Sequence, residues 1–306
     1  MATRVWGPPL ASPVMPASGC FGPELAEVVP VHGLGAVVTK TVFAAARAGN
    51  PAHRLAETRD AMLNSVGIPS VGVRRWRREV LPRYLELGPP VVVSIGGLTE
   101  DDFLDVAEGL AGMDVAAVEV NVSCPNLEAG GIELGADPDA VARVVAGVVD
   151  RVELPVIAKL TPNVTSVPAL ARAAAAAGAS SVTVANTFVG MAVDLRTRRA
   201  VLGNTTGGWS GPAVKPLALR LVWQTARAVD VPVIGCGGVT SASDVVEYLL
   251  AGATAVQVGT ATFTRPQTMS EILAELPVLL SAMGVLDTAQ LVGGIDRIDA
   301  KQPIAQ

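Results

Sequence analysis

Cys124 is the residue whose surroundings first point to chemistry. It stands in Asn121-Val122-Ser123-Cys124-Pro125-Asn126, between two amides and a hydroxyl, where a packing thiol would have apolar neighbours. A thiol in polar surroundings can serve as a nucleophile or, once its proton is lost, as a general base. On its residues alone it stays open between that role and a packing one. Cys20 and Cys236 read as small packing residues. His32 and His53 fall in helix or loop sequence, so neither is an obvious base.

The lysines are the second signal. Arginine carries most of the positive charge, and lysine is kept only at Lys40, Lys159, Lys215 and Lys301. Lys159 closes the apolar run Val156–Leu160, where an unpaired ammonium is costly. It needs an anion or a carbonyl, and the edge of a flavin that becomes negative on reduction would suit it. The alternative is a structural ion pair. Lys40 follows the same logic with a substrate carboxylate as partner. Lys215 and Lys301 read as ordinary surface residues.

The third signal is glycine. Gly237-Gly238 and Gly259-Thr260 each follow an apolar run, and Gly211 precedes a helical pattern in Ser210-Gly211-Pro212. Glycines there let backbone N–H groups approach a phosphate beside a helix N-terminus. The competing reading is that they only permit tight turns.

These residues share a position relative to the elements that carry them. Eight short apolar, β-branched runs occur at Pro13–Ala17, Ala36–Lys40, Val91–Ile95, Ala117–Ser123, Val156–Leu160, Ser181–Ala185, Pro232–Gly235 and Ala255–Val258. Such runs are what a parallel sheet buried on both faces requires. Between them lie segments of helical period, including Thr99–Leu110, Asp137–Val149, Pro168–Ala177, Pro212–Val229 and Ser241–Ala251. Thr99-Glu100-Asp101-Asp102 and Ser243-Asp244 read as N-terminal caps, and Gly178 and Gly252 as left-handed C-caps. No G-x-G-x-x-G follows the first run. The expected fold is therefore α/β, a single (β/α)8 TIM barrel in which residues 1–306 form one domain. Thr41–Gly72 and Phe188–Gly211 are expected as extended loops at its C-terminal rim, where barrels of this type do their chemistry. The candidates then all lie at strand ends: Ser18-Gly19, Lys40-Thr41, Ser94, Asn121 to Asn126, Lys159, Asn186-Thr187, Gly237-Gly238 and Gly259-Thr260.

Composition narrows the classes. Of 306 residues 50% are apolar, 17% charged and 4% aromatic, with a formal net charge of −5, which argues against a nucleic-acid surface. The basic run Arg74-Arg75-Trp76-Arg77-Arg78 reads as the solvated face of a helix. Met1–Leu10 has neither signal-peptide nor spanning character, and a soluble, cytoplasmic protein without membrane contact is expected. Three scattered cysteines supply neither a disulfide framework nor a metal or iron–sulfur site, so any electron-carrying cluster would reside in another chain.

Taken together, Asn121–Asn126 resembles the active-site signature of class 1 dihydroorotate dehydrogenases. Pro16–Gly19, Thr39–Thr41, Met62–Ile68, Asn186–Met191, Thr206–Pro212 and Gly259–Ala261 are similar to further motifs of that family, in family order from about residue 5 to 285. The stretch 186–212 is most similar to class 1B. The resemblance implies an FMN-dependent oxidation of (S)-dihydroorotate to orotate in de novo pyrimidine (UMP) biosynthesis. Cys124 would be the base for the C5 proton, with hydride passing to FMN. It implies FMN contacts from Ser18, Lys40, Thr41, Ser94, Asn121, Lys159, Ala185, Gly211, Gly237, Gly238, Gly259 and Thr260. It implies substrate contacts from Lys40, Asn64, Ser65, Val66, Gly67, Ile68, Asn121, Asn126, Asn186 and Thr187. It also implies a homodimeric core and a partner subunit carrying FAD and an iron–sulfur centre, through which electrons reach NAD. Three departures from the family pattern, Ser94, Ser70 and Cys20, leave room for an alternative: a pathway-specific FMN dehydrogenase or reductase acting on a related pyrimidine or cyclic amide.

Overall fold

The computed structural model describes residues 1–123 and 131–295. Eight parallel strands form the central sheet: β1 (Val14–Pro16), β2 (Val37–Val38), β3 (Val91–Ile95), β4 (Ala117–Asn121), β5 (Val156–Lys159), β6 (Ser181–Val184), β7 (Val233–Cys236) and β8 (Ala255–Val258). They run in the order β1-β8-β7-β6-β5-β4-β3-β2. The Gly35 N–H donates to the Val14 carbonyl at 2.8 Å and draws β2 back to β1. The sheet therefore closes on itself as a (β/α)8 barrel, as the eight apolar runs require.

Helices cover the outside. Glu100–Gly109 and Ala242–Leu250 both open with capping boxes, in which Thr99 and Ser241 accept from the backbone of Asp102 and Asp244. The second box corrects the expected cap: Ser243 already lies in the first helical turn, and Ser241 is the residue with extended backbone. Gly178 and Gly252 do adopt φ of 96° and 106° after their helices. The expected helix 212–229 begins instead as a 3-10 turn, Pro212–Val214, and continues as Lys215–Ala226. Arg75 and Arg78 pair with Glu79 on the exposed face of helix Val73–Glu79, while Trp76 is buried beneath. None of the described helices is long and apolar enough to cross a membrane.

The barrel interior has two tiers. At the N-terminal end Met15, Val38, Val92, Ala117, Ile157, Ile234 and Ala255 meet in one apolar cluster, plugged by Val5, Trp6 and Leu10. The plug comes from a small hairpin that pairs Thr3–Arg4 with Pro9–Leu10. Two residues further along the strands the lining turns polar, with Ser94, Glu119, Lys159, Thr183 and Gln257 all buried. Side chains on one face of a strand recur every second residue, so both tiers belong to the same inward face.

The two rim segments expected as loops build a sheet of their own. Leu55–Thr58, Ala61–Asn64, Phe188–Met191 and Thr206–Ser210 form four antiparallel strands. The segments meet where Gly208, Trp209 and Ser210 pair with Asn64, Leu63 and Met62. Gly208 is required there, since a Cβ would fall within 2.1 Å of the Thr187 hydroxyl oxygen.

Candidate active site at the C-terminal rim

Between the strand ends and the rim sheet lies a cavity of about 480 Å³, within the range usual for small-molecule and cofactor sites. Of the positions expected from sequence, Ser18, Lys40, Thr41, Asn121, Lys159, Ala185, Gly211, Gly237, Gly238, Gly259 and Thr260 line it. So do Asn64, Val66, Gly67, Ile68, Asn186 and Thr187. Two expected residues are not on its wall. Ser94 is wholly buried behind Thr41, with the two hydroxyls 2.9 Å apart. Ser65 is buried and held from behind by the Asn50 amide at 3.1 Å. Cys124 and Asn126 lie outside the described residues.

One wall is built by glycine. Gly211, Gly237 and Gly238 have φ of 115°, 137° and 70°. A Cβ on Gly238 would stand 2.7 Å from Lys215 Cβ and 2.9 Å from its backbone nitrogen, so the turn closes directly on the start of helix Lys215–Ala226. Among the described residues, neither that helix nor the 3-10 turn before it has a side-chain cap. An uncapped helix start beside a glycine turn is an anion-binding arrangement. The turn is braced from below by the Tyr248 hydroxyl, which donates to the Gly237 carbonyl at 2.6 Å.

Lys215 is part of that brace, which corrects its reading as an ordinary surface residue. Its Nζ donates to Asp244 Oδ1 at 2.6 Å and to Glu247 Oε1 at 3.0 Å. Asp244 Oδ2 accepts from the N–H groups of Thr240 and Ser241, immediately after the glycine turn. Burial works to raise the Asp244 carboxyl, but Lys215 and Thr240 outweigh it and hold the group below its ordinary value.

A second wall is built of amides. Asn121 Nδ2 donates to the Thr41 hydroxyl at 3.2 Å, and Ser123 Oγ donates to Asn121 Oδ1 at 2.8 Å. Asn186 Nδ2 donates to Ser123 Oγ at 3.0 Å and to its carbonyl at 3.3 Å. The residues that flank Cys124 on its N-terminal side are thereby fixed to strands β4 and β6. Asn64 Nδ2 donates to the Gly208 carbonyl at 3.3 Å and ties the 64–68 loop to the rim sheet. Asn163, which sequence reading passed over, holds the other rim segment: it accepts from the Val189 N–H at 2.8 Å and donates to the Thr187 carbonyl at 3.1 Å. Its place just past the β5 end was the available signal.

The floor carries charge. Lys159 Nζ donates to Gln257 Oε1 at 2.9 Å and to Ser18 Oγ at 3.4 Å, and lies 3.8 Å from Glu119 Oε1. The ion pair left open as an alternative is thus present, and Lys159 still lines the cavity. Cys20 and Cys236 also line it as free thiols, which corrects their reading as plain packing residues. Burial pushes the Cys20 thiol up to about 11 and Cys236 in the same direction, so both stay protonated at neutral pH. Leu55, Met62, Phe188 and Trp209 add an apolar face from the rim sheet, suited to a flat ring.

Ser70, one of the departures noted in sequence, accepts from the N–H groups of Phe43 and Gly72 and is not on the cavity wall.

Residues 1–280 match the family described as dihydroorotate dehydrogenase. Three curated relatives share the printed name "Dihydroorotate dehydrogenase B (NAD(+)), catalytic subunit". That of Trichlorobacter lovleyi is 45% identical over 299 residues, covering 97% of this chain and 98% of the relative. That of Desulforudis audaxviator is 46% identical over 299 residues, 97% of each. That of Geobacter sulfurreducens is 44% identical over 299 residues, 97% of this chain and 98% of its own length.

Proposed function

The chain belongs to the dihydroorotate dehydrogenase family, and we propose that it is the catalytic subunit of a cytoplasmic, NAD-linked enzyme that oxidises (S)-dihydroorotate to orotate in pyrimidine biosynthesis. The observation that supports this most is the meeting, in one cavity, of an anion-binding glycine turn, the cations Lys40 and Lys159, and the amides Asn64, Asn121 and Asn186.

The substrate is a six-membered ring with a carboxylate and imide-type N–H and C=O groups, and it becomes flat on oxidation. Lys40 supplies a cation for the carboxylate, and the three asparagines and Thr187 offer donors and acceptors for the ring edge. The residues present fit FMN: the turn of Gly211, Gly237 and Gly238, with Gly259 and Thr260, for the phosphate, and Ser18, Thr41, Asn121, Lys159 and Ala185 for the ring. When bound, FMN would supply a hydride acceptor for the substrate ring, and Lys159 would hold positive charge at the cavity floor. Cys124 is assigned the proton next to the substrate carbonyl, and Ser123, Asn121 and Asn186 hold the strand end from which it extends.

Electrons leave through a partner. The relatives are named as catalytic subunits, and this chain carries no cysteine set for a cluster. We assign the onward path to a subunit with FAD and an iron–sulfur centre, and a homodimer to the core. Of the three departures, Ser94 and Ser70 are off the cavity wall and Cys20 is on it; the choice of dihydroorotate over a related heterocycle rests on Lys40 as partner for the carboxylate.

Steady-state turnover with an artificial electron acceptor tests the assignment. Dihydroorotate should be oxidised and dihydrouracil, which lacks the carboxylate, should be a poor substrate. Equal turnover of the two would refute it.

A further inference from the structure

Glu119 is fully buried in the middle of β4, in Val118-Glu119-Val120. Its Oε2 accepts from Gln257 Nε2 at 2.6 Å and from the Thr183 hydroxyl at 3.1 Å. Gln257 lies on β8 and Thr183 on β6, neither of which neighbours β4 in the sheet, so these bonds cross the barrel lumen. The other oxygen, Oε1, has no hydrogen-bond partner among the described residues and faces Lys159 Nζ at 3.8 Å. Gln257 bridges the pair, donating to the carboxylate and accepting from the ammonium. A carboxylate left in such a place without a charge partner is strongly unfavourable.

The other groups that act on Lys159 do not replace it. Cys20 and Cys236 face the ammonium, but burial keeps both thiols neutral. Lys40, which also acts on Cys20, carries the same sign as Lys159. Ser18 and Gln257 are uncharged acceptors.

We propose that Glu119 is a positioning residue for the site: its carboxylate holds Lys159 as an ammonium ion and fixes that charge at the cavity floor. The role assigned to the charge rests on the cavity being a flavin site; the coupling between the two side chains does not. Burial alone would drive Lys159 toward the neutral amine, and Glu119 opposes it strongly enough that the ammonium is held above its ordinary range. The floor thus presents the same charge across the physiological pH range.

Two measurements test this. In the first, the affinity of the chain for FMN is followed by flavin fluorescence from about pH 6 to about pH 9, where an ordinary lysine does not titrate. The wild type should show no ionisation of Lys159. Glu119→Gln should weaken FMN binding about tenfold or more as pH rises, and the double variant Glu119→Gln/Lys159→Met should lose that dependence. Glu119→Asp, which keeps the charge, should restore the flat profile. A Glu119→Gln protein with the wild-type profile overturns the proposal. The second measurement needs no flavin and does not depend on Glu119→Gln folding. In Lys159→Met the buried carboxyl loses its counter-charge, so ionising it inside the folded protein becomes unfavourable. Stability should then fall as pH rises, with a slope approaching one proton per molecule, and Lys159→Met/Glu119→Gln should not show it. A Lys159→Met protein whose stability follows the wild type across pH contradicts the coupling. Failure of the wild type to bind FMN would refute the flavin reading and leave this arm intact.

Discussion

At the level of Ile157 the barrel interior is hydrocarbon; one pleat higher, at Lys159, it is a charged and hydrogen-bonded layer. The strands are the same, and only the alternate residue has changed. The lower tier is closed by Trp6 and contributes no residue to the cavity wall, so it serves to hold the strands at fixed spacing. The upper tier sacrifices hydrophobic burial for Glu119, Lys159, Thr183 and Gln257, a trade that does not maximise stability. A fold that isolates its stabilising layer from its polar layer can build a charged site at one end without loosening the other.

The largest expected effect lies at the polar end. Cys124→Ala should lower dihydroorotate-dependent flavin reduction by about 10²–10⁴-fold, the usual contribution of a positioned general base, while FMN stays bound. Stopped-flow absorbance reads this, and a wild-type rate would remove the assignment of Cys124.

The matching change at the apolar end should act on stability alone. Trp6 is 8% exposed and fills the plug, so Trp6→Ala should cost about 3–5 kcal/mol in denaturant unfolding. Turnover per folded molecule should not change. A large loss of turnover in folded protein would mean that the two tiers are coupled.

Lys40→Ala returns to the polar end. Removing a charge-assisted bond to the substrate carboxylate should raise KM for dihydroorotate about 10–100-fold, from roughly 1.5–3 kcal/mol for a hydrogen bond to a charged group. An unchanged KM would place the carboxylate elsewhere.

The smallest effect belongs to the brace behind the glycine turn. Asp244 is held below its ordinary pKa, so its ionised form stabilises the fold at neutral pH and that contribution disappears as pH falls through the folded-state value. Asp244→Asn should lower stability by about 1–2 kcal/mol at neutral pH, between the values for exposed and buried pairs. The difference from wild type should close below the ordinary carboxylate range. A constant difference at all pH values would show that the Lys215 pair is not its source.

The contrast between the tiers was partly legible in sequence. Apolar runs locate the eight strands to within two residues, because a strand buried on both faces has no other composition open to it. The strand-end polar residues follow from those limits, which is why Lys40, Asn121, Lys159 and Asn186 could be placed at the mouth in advance. Glu119 was hidden by the same rule: it occupies one position in an otherwise apolar run, and its partners Thr183 and Gln257 are 64 and 138 residues away. The rim sheet escaped for a similar reason, since Asn64 and Gly208 pair across 144 residues and their segments are rich in turn formers. Lys215 looked solvated because its partners Asp244 and Glu247 belong to another helix. Ser94 and Ser65 sit at the right strand and loop, but their hydroxyls are buried against Thr41 and Asn50 behind the cavity wall, a depth that spacing alone does not carry.

If the polar end of this barrel binds FMN and reduces it with dihydroorotate, the reaction is visible when dihydroorotate is added to the FMN-loaded chain without oxygen and the absorbance of the oxidised flavin is followed. The absorbance should be lost to an end point reached with about one substrate molecule per flavin, and orotate should appear in equal amount. A chain that binds FMN yet keeps its absorbance with dihydroorotate, and loses it with a dihydropyrimidine lacking the carboxylate, would contradict the account.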